Sequence, residues 1–342
     1  MTAAGLRAAS RKLAVGAALG LFTLLITLAS GEAFLRGTDL GGLSYFDHAR
    51  SYHRDALEPD PSGRLRYRHK PGFRARYGRA EVVINSQGLR DEERARAKAP
   101  GTFRILVLGD SVPFGWGVPL EQTFTKLMQR DLNAAASSTK FDVINSGVCS
   151  WDTRDEVTWF AREGLRYAPD LVLLCFVPND ANTVLAERGA AFSPFAAADA
   201  AGGEVGAAIG LLRGSYLARF VHQRAVRPWS DKSDHFNSDS LHWRGCRAWL
   251  DRLRQRCLRE QLPLVLCGVF SNEGARGRRA RARLIEYARE TELPFIDCDD
   301  FFREVDYRRF VNSPTDSHWN AAGHRRVAEG LGRRLKDDCL LP

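Results

Sequence analysis

The sequence predicts a three-layer α/β/α domain built on a parallel sheet of about five strands, preceded by one N-terminal transmembrane helix. Three observations predict it. From Arg104 onward, short apolar runs alternate with amphipathic stretches, an order that requires parallel pairing and right-handed crossovers. Nineteen consecutive residues, Leu13 to Gly31, carry no charge. The composition, 44% hydrophobic and 27% charged, belongs to a globular chain and excludes a disordered one.

The N-terminal run, "LAVGAALGLFTLLITLASG", spans roughly 28 Å as a helix, about the hydrocarbon thickness of a bilayer. Arg7, Arg11 and Lys12 precede it and Glu32 follows, which predicts a cytoplasmic N-terminus and an exported body. Residues 1–32 are therefore read as a cytoplasmic N-terminus and signal-anchor, making the protein single-pass with its main domain periplasmic or extracellular. Ala29-Ser30-Gly31 also fits a small-residue cleavage site, so a cleaved signal peptide is the alternative. Residues 33–103 read as a stalk and an extended lead-in. Within them "RLRYRHKPGFRARYGRAEVVINSQGLR" alternates basic and apolar positions over 64–90, and "DEERARAKAPG" is a charged connector.

The main domain is read as 104–342. Strands are expected near 104–108, 141–145, 170–176, 263–269 and 294–297, and amphipathic helices near 120–135, 154–167, 241–260, 276–291 and 320–336. The expected strand order is flavodoxin-like. Residues 183–240 fit no core element and are read as an insertion over one end of the sheet.

Formal net charge is +9; with three basic and one acidic residue in 1–32, the remainder keeps +7. The basic residues are scattered, which describes a solvated surface and excludes a nucleic-acid module. Seven cysteines in an exported chain raise the question of disulfides, yet the count is odd. Cys175 and Cys267 lie in apolar runs as small core hydrophobes. Cys246 and Cys257 share one expected helix, roughly 16 Å apart and too far to bridge. Cys149, Cys298 and Cys339 stay open as partners, and a mostly reduced set is expected.

The informative break comes at "RILVLGDSVPFGWGV", 104–118, where a buried strand ends directly in a glycine, a carboxylate and a hydroxyl. In an open parallel sheet, ligands bind beyond the carboxyl ends of the strands. Ser111 stands there after the first strand, "NSGVCS" (145–150) after the second and "PND" (178–180) after the third. Far downstream, "NSPTDSHWNAAGHRRVAEGL" places Asp316 and His318 just before the last helix. A serine hydroxyl becomes a nucleophile when a histidine takes its proton, and a carboxylate on the other imidazole nitrogen fixes the tautomer. The oxyanion then needs donors: Gly147 lets backbone approach closely, and Asn179 carries an amide. Taken singly, each of these residues would read as a turn, a cap or a surface histidine; their joint occurrence in order at one sheet edge points to a site.

"LGDS" with Ser111, the glycine Gly147, Asn179 within "PND" and the Asp316/His318 pair resemble the four blocks of the SGNH/GDSL hydrolase family, in the family's order, from about Arg104 to the C-terminus. The N-terminal anchor and the "NSQGLRD" lead-in resemble a bacterial membrane-anchored branch found beside envelope polysaccharide functions, and "DSHWN" is similar to alginate O-acetyltransferase-type members. The resemblance implies Ser111 as nucleophile, His318 as base and Asp316 as its orienting carboxylate. It implies an oxyanion hole from the Ser111 and Gly147 N–H groups and the Asn179 side chain, with no metal and no cofactor. Two features depart from the pattern. Val177 stands where a glycine is usual, and Asp316 lies two residues before His318, with Thr315 at the usual three-before position.

The expected function is an esterase or acylhydrolase cleaving an O-acyl, above all O-acetyl, ester on an envelope glycan or lipid. Two alternatives are a polysaccharide O-acyltransferase using the same Ser111 acyl-enzyme and a non-catalytic glycan-binding or assembly protein. The expected partners are the acylated substrate, the membrane through the N-terminal helix and envelope polysaccharide machinery, with no nucleic acid. Asp234, His235, Asp239 and His242 sit in a polar run without ligand-motif spacing and are not read as a metal site. His324, on the last helix, reads as structural, and Phe114 and Trp116 as core.

Overall fold

The computed structural model describes residues 3–40, 42–136, 138–182, 214–226, 233–270 and 274–342. Most of the expected insertion, 183–213 and 227–232, lies outside them. The described residues form two compact units, 3–46 with 214–226, and 47–182 with 233–342.

The first unit contains α1 (Ala3–Thr38). Its stretch Arg11–Thr38 is long and apolar enough to cross a membrane, with a most apolar window of mean hydropathy 2.1 and no part of that window buried; a signal sequence satisfies the same length and composition. Glu32 on α1 accepts hydrogen bonds from Ser215 Oγ (2.9 Å) and from the N–H groups of Tyr216 (2.9 Å) and Leu217 (2.8 Å), where the helix Tyr216–Val226 begins. The carboxylate thus satisfies orphan donors of that helix start.

The second unit starts within α2 (Leu43–Asp55). The lead-in follows as two antiparallel pairs, β1 (Leu57–Pro59) with β2 (Tyr67–His69) and β3 (Arg74–Tyr77) with β4 (Ala80–Val83). Its side chains reach the interior: Tyr52, Tyr67, His69 and Arg90 are all buried.

The main sheet has five parallel strands: β5 (Thr102–Gly109), β6 (Lys140–Asn145), β7 (Leu171–Phe176), β8 (Leu264–Gly268) and β9 (Phe295–Asp297). Their order is β6-β5-β7-β8-β9, the flavodoxin-like arrangement expected from the sequence. β7 and β8 are buried at every position, as parallel strands covered on both faces must be. Ile105 and Val107 join the core that α4 (Phe124–Ala135) and the last helix (Ala321–Asp337) cover. The alternate residue Leu106 meets the opposite layer, where Gly164 follows α5 (Thr153–Arg162). Helix starts are capped by Thr123, Asp152, Ser240 and Asn320, each accepting a backbone N–H. All seven cysteines are free, and Cys246 and Cys257 lie on the single helix Leu241–Arg259.

Candidate active site

β5 ends at Gly109, whose φ of +150° lies where side chains rarely go; a Cβ there would meet Pro113 Cγ at 2.6 Å and Cys175 O at 2.9 Å. Glycine lets the chain turn sharply into the single helical turn Ser111–Phe114 (α3). Asp110, 2% exposed, caps that turn by accepting the Val112 N–H at 3.0 Å. Ser111 is thereby presented at the carboxyl edge of the sheet.

His318 comes from the other side of the edge. Val311–Ser313 (β10) and Asp316–Trp319 (β11) form a short antiparallel hairpin. On a strand, residues i and i+2 share a face, so the two-residue separation that departs from the family pattern brings both side chains to one side. Asp316 Oδ1 lies 2.6 Å from His318 Nδ1, and His318 Nε2 lies 2.8 Å from Ser111 Oγ. With the Nδ1 proton donated to Asp316, Nε2 carries the lone pair that accepts the serine proton. The alternative acceptor for that proton, Asp110 Oδ2, is farther away at 3.2 Å. The His318 and Asp316 side chains are 14% and 12% exposed, so the pair is reachable without being solvated on all sides.

The donors sit around Asp110. Asn179 Nδ2 donates to Asp110 Oδ2 at 2.9 Å, which occupies one of its two amide protons and fixes the direction of the other. Ser111 N–H has no acceptor among the described residues. Gly147 packs so closely that a Cβ would come within 2.7 Å of Asp110 O and 2.4 Å of Phe114 N, which requires glycine there. Its N–H is held by Asn145 Oδ1 at 3.0 Å. Burial raises the Asp110 pKa, opposed by the bonds from Asn179 and Val112 and by the nearby His318. Val177 N–H donates to Asp180 Oδ2 at 2.9 Å, so the turn carrying Asn179 closes on its own aspartate.

Several supporting residues escaped the sequence reading. Arg90, fully buried, donates to the carbonyls of Phe114 (2.5 Å), Gly115 (2.7 Å) and Val118 (2.6 Å), tying down the chain just after the nucleophile. Burial lowers its pKa to about 10. Asp91 accepts the Asn145 N–H at 2.8 Å and pairs with Lys126 at 2.6 Å. Both belong to "NSQGLRD", a sequence signal of charged residues in an otherwise packed turn. Asn312 donates to Asp316 Oδ2 and to Trp116 O, each at 3.1 Å. Trp116 is buried against the rings of Tyr52 and Phe114, and Phe114 is likewise core. His324 is buried and accepts the Phe124 N–H at 3.2 Å, and burial lowers its pKa to about 3. Asp234 pairs with Arg279 at 3.0 Å, and the rings of His235 and His242 stack at 3.7 Å.

No curated protein matches the chain in sequence. Three solved structures illustrate the structural similarity. An acetyl xylan esterase is 15% identical, with 68% of this chain and 100% of that chain covered and a TM-score of 0.44. A psychrotrophic esterase from Pseudoalteromonas is 13% identical, with 70% and 99% covered and a TM-score of 0.44. A lipase/acylhydrolase from Enterococcus faecalis is 18% identical, with 69% and 96% covered and a TM-score of 0.44. The sequence profile of the GDSL-like lipase/acylhydrolase family matches residues 107–326, well over half of the chain, a range that includes Ser111, Gly147, Asn179, Asp316 and His318. The chain belongs to the GDSL-like lipase/acylhydrolase family, the hydrolases of ester bonds.

Proposed function

We propose that the protein cleaves O-acyl, above all O-acetyl, esters of an envelope glycan through a covalent Ser111 acyl-enzyme, and that α1 anchors it with this site on the periplasmic or extracellular side. The observation that carries the reading is the relay from Ser111 Oγ to His318 Nε2 at 2.8 Å and from His318 Nδ1 to Asp316 at 2.6 Å. Ser111 Oγ attacks the ester carbonyl while its proton passes to His318 Nε2. The new imidazolium is steadied by Asp316, which stays ionised. The negative charge on the former carbonyl oxygen is met by Ser111 N–H and the second amide proton of Asn179. Gly147 N–H joins them by sharing its proton between Asn145 Oδ1 and the oxyanion. His318 then gives its proton to the sugar oxygen as the acyl C–O bond breaks, so the sugar leaves as a free hydroxyl and the acyl group stays on Ser111, and a water activated by the same histidine releases it as the acid.

The full chain in detergent, incubated with 4-nitrophenyl acetate and with acetylated oligosaccharide, is expected to release acetate. Ser111→Ala and His318→Ala are each expected to lose that turnover by about a millionfold while keeping the melting temperature. A serine-directed fluorophosphonate should label the wild type and not Ser111→Ala. Near wild-type turnover in either variant overturns the assignment. Exhaustive chelation should leave activity intact, since the proposed steps use side-chain and backbone groups alone. Acetyl transfer to an added oligosaccharide in place of acetate release makes the protein a transferase with the same acyl-enzyme. A C-terminal alkaline phosphatase fusion should be active if the domain is exported and silent if it is cytoplasmic.

A further inference from the structure

The hairpin that carries His318 is joined to the chain after the nucleophile by Asn312. Its amide nitrogen donates to Trp116 O and to Asp316 Oδ2, each at 3.1 Å. A carbonyl and a carboxylate oxygen both accept, so the NH2 end of the amide must face them. The Trp116 end is a firm anchor, because Arg90 holds the carbonyls of Phe114, Gly115 and Val118 on the same stretch of chain. Gly117 makes room for the bridge. A Cβ there would overlap the Asn312 amide nitrogen and come within 2.8 Å of its Cγ, and a φ of +89° favours glycine on its own account. The pairing register of the hairpin shifts between Val311 and Ser313, and Asn312 sits at that irregularity. Bulges of this kind commonly re-aim a side chain beside an active site.

We propose that Asn312 is a positioning residue for ester cleavage: anchored on Trp116 O, its amide fixes the Asp316 carboxylate so that Oδ1 faces His318. The inference rests on the proposed role of Asp316 and deepens it. A carboxylate has two equivalent oxygens and can turn about its Cβ–Cγ bond. With Oδ2 held by Asn312, Oδ1 is kept for His318, accepting from Nδ1 at 2.6 Å and from the backbone N–H at 3.2 Å. An amide suits this task because one nitrogen carries two protons in a fixed plane, one for each acceptor. A hydroxyl has a single proton, and a lysine or arginine would bring a charge that competes with the imidazolium for Asp316.

The full chain in detergent is assayed with 4-nitrophenyl acetate, counting rates above those of Ser111→Ala. Asn312→Ala should lower kcat about ten- to a hundredfold, with KM within about twofold of wild type. Asn312→Asp keeps the shape of the side chain but has at most one proton to give, so it breaks the bridge without opening a space. Its kcat should fall as well, again with KM little changed, and melting curves confirm that each variant is folded. The decisive comparison adds Asn312→Ala to Asp316→Asn. A group that acts through Asp316 has nothing left to position there, so the double variant should be no slower than Asp316→Asn alone. Wild-type kcat in both Asn312 variants, a loss confined to KM, or a double variant slowed by the full factor of Asn312→Ala overturns the inference and leaves Asp316 in its role. A fully active Asp316→Asn removes Asp316 from the mechanism, and the inference with it.

Discussion

The two sides of the candidate site are built differently. Ser111, Gly147 and Asn179 follow the carboxyl ends of three adjacent strands, β5, β6 and β7, which are buried at those ends, and their loops are tied from beneath by Asp110, Arg90, Asp91 and Asn145. Asp316 and His318 stand on a two-stranded hairpin whose register is Val311↔Trp319 and Ser313↔Asp316, steadied by Asn312. One side is an extension of the core; the other is a local device whose polar groups satisfy one another. Substituting a group that also ties those loops, such as Asn179, should therefore disturb rate and stability together, whereas substitution on the histidine side should disturb rate almost alone.

After the loss of Ser111 or His318 themselves, the largest expected effect tests the histidine side. Asp316→Asn keeps the shape of the side chain, but its amide can donate to His318 Nδ1 and so reverse the tautomer that leaves Nε2 free. Ester turnover should fall by about ten-thousandfold, with the thermal midpoint within about 2 °C of wild type. Kinetics and a melting curve on the same preparation check both halves. An active variant would assign the work to a Ser111–His318 dyad, and an unfolded one would erase the contrast between the two sides.

Asn179→Ala tests the other side with a smaller rate effect. Removing one oxyanion donor costs about a hundredfold in kcat with KM little changed, since the oxyanion exists only in the transition state. Here a stability loss should accompany it, because Asp110, buried at 2% exposure, loses the amide that donates to its Oδ2 at 2.9 Å. A change in KM alone would make Asn179 a substrate-binding group instead.

The contrast also explains what the sequence could convey. The central strands were the most legible because β7 and β8 are apolar runs buried at every position; the run expected at 170–176 is Leu171–Phe176. Boundaries shifted where capping chemistry overrode periodicity. The helix expected from 120 begins at Phe124, after the 3-10 turn Leu120–Gln122 and the cap Thr123, and the one expected over 154–167 ends at Arg162, before Gly164. The hairpin 311–319 was illegible as strands, since its segments have three and four residues and polar side chains on both faces. Its geometry nevertheless accounts for the Asp316–His318 spacing, which sequence comparison alone leaves as an anomaly. The roles of Arg90, Asp91 and Asn145 depend on contacts between segments 24 to 54 residues apart, and no local pattern encodes those.

The smallest expected effect concerns the carboxyl groups buried beneath the nucleophile side. Glu156 on α5 is fully buried, and neither carboxyl oxygen has a hydrogen-bond partner among the described residues. Burial first, then the charges of Asp110 and Asp152, raise its pKa well above the ordinary glutamate value; burial and Glu156 do the same to Asp180, and Asp152 is pushed up to about 6. In the unfolded chain these groups ionise near pH 4. Between that pH and their folded values the native state holds more protons than the unfolded one, so stability falls as pH rises through that window. The buried histidines act on the acid side with the opposite slope: His53 and His69 are lowered to about 4 and His324 to about 3 by burial, so stability is lost as pH drops below about 6.5. Glu156→Gln removes the carboxyl titration while leaving the histidines in place. Its melting temperature should match wild type near pH 5 and exceed it by about 2–5 °C at pH 8, with the gain growing steadily between. Differential scanning calorimetry at pH 5, 6.5 and 8 reads that divergence. A gain independent of pH, or a loss at pH 8, would mean that Glu156 ionises in the folded protein as it does in the unfolded chain, and that burial does not hold its proton.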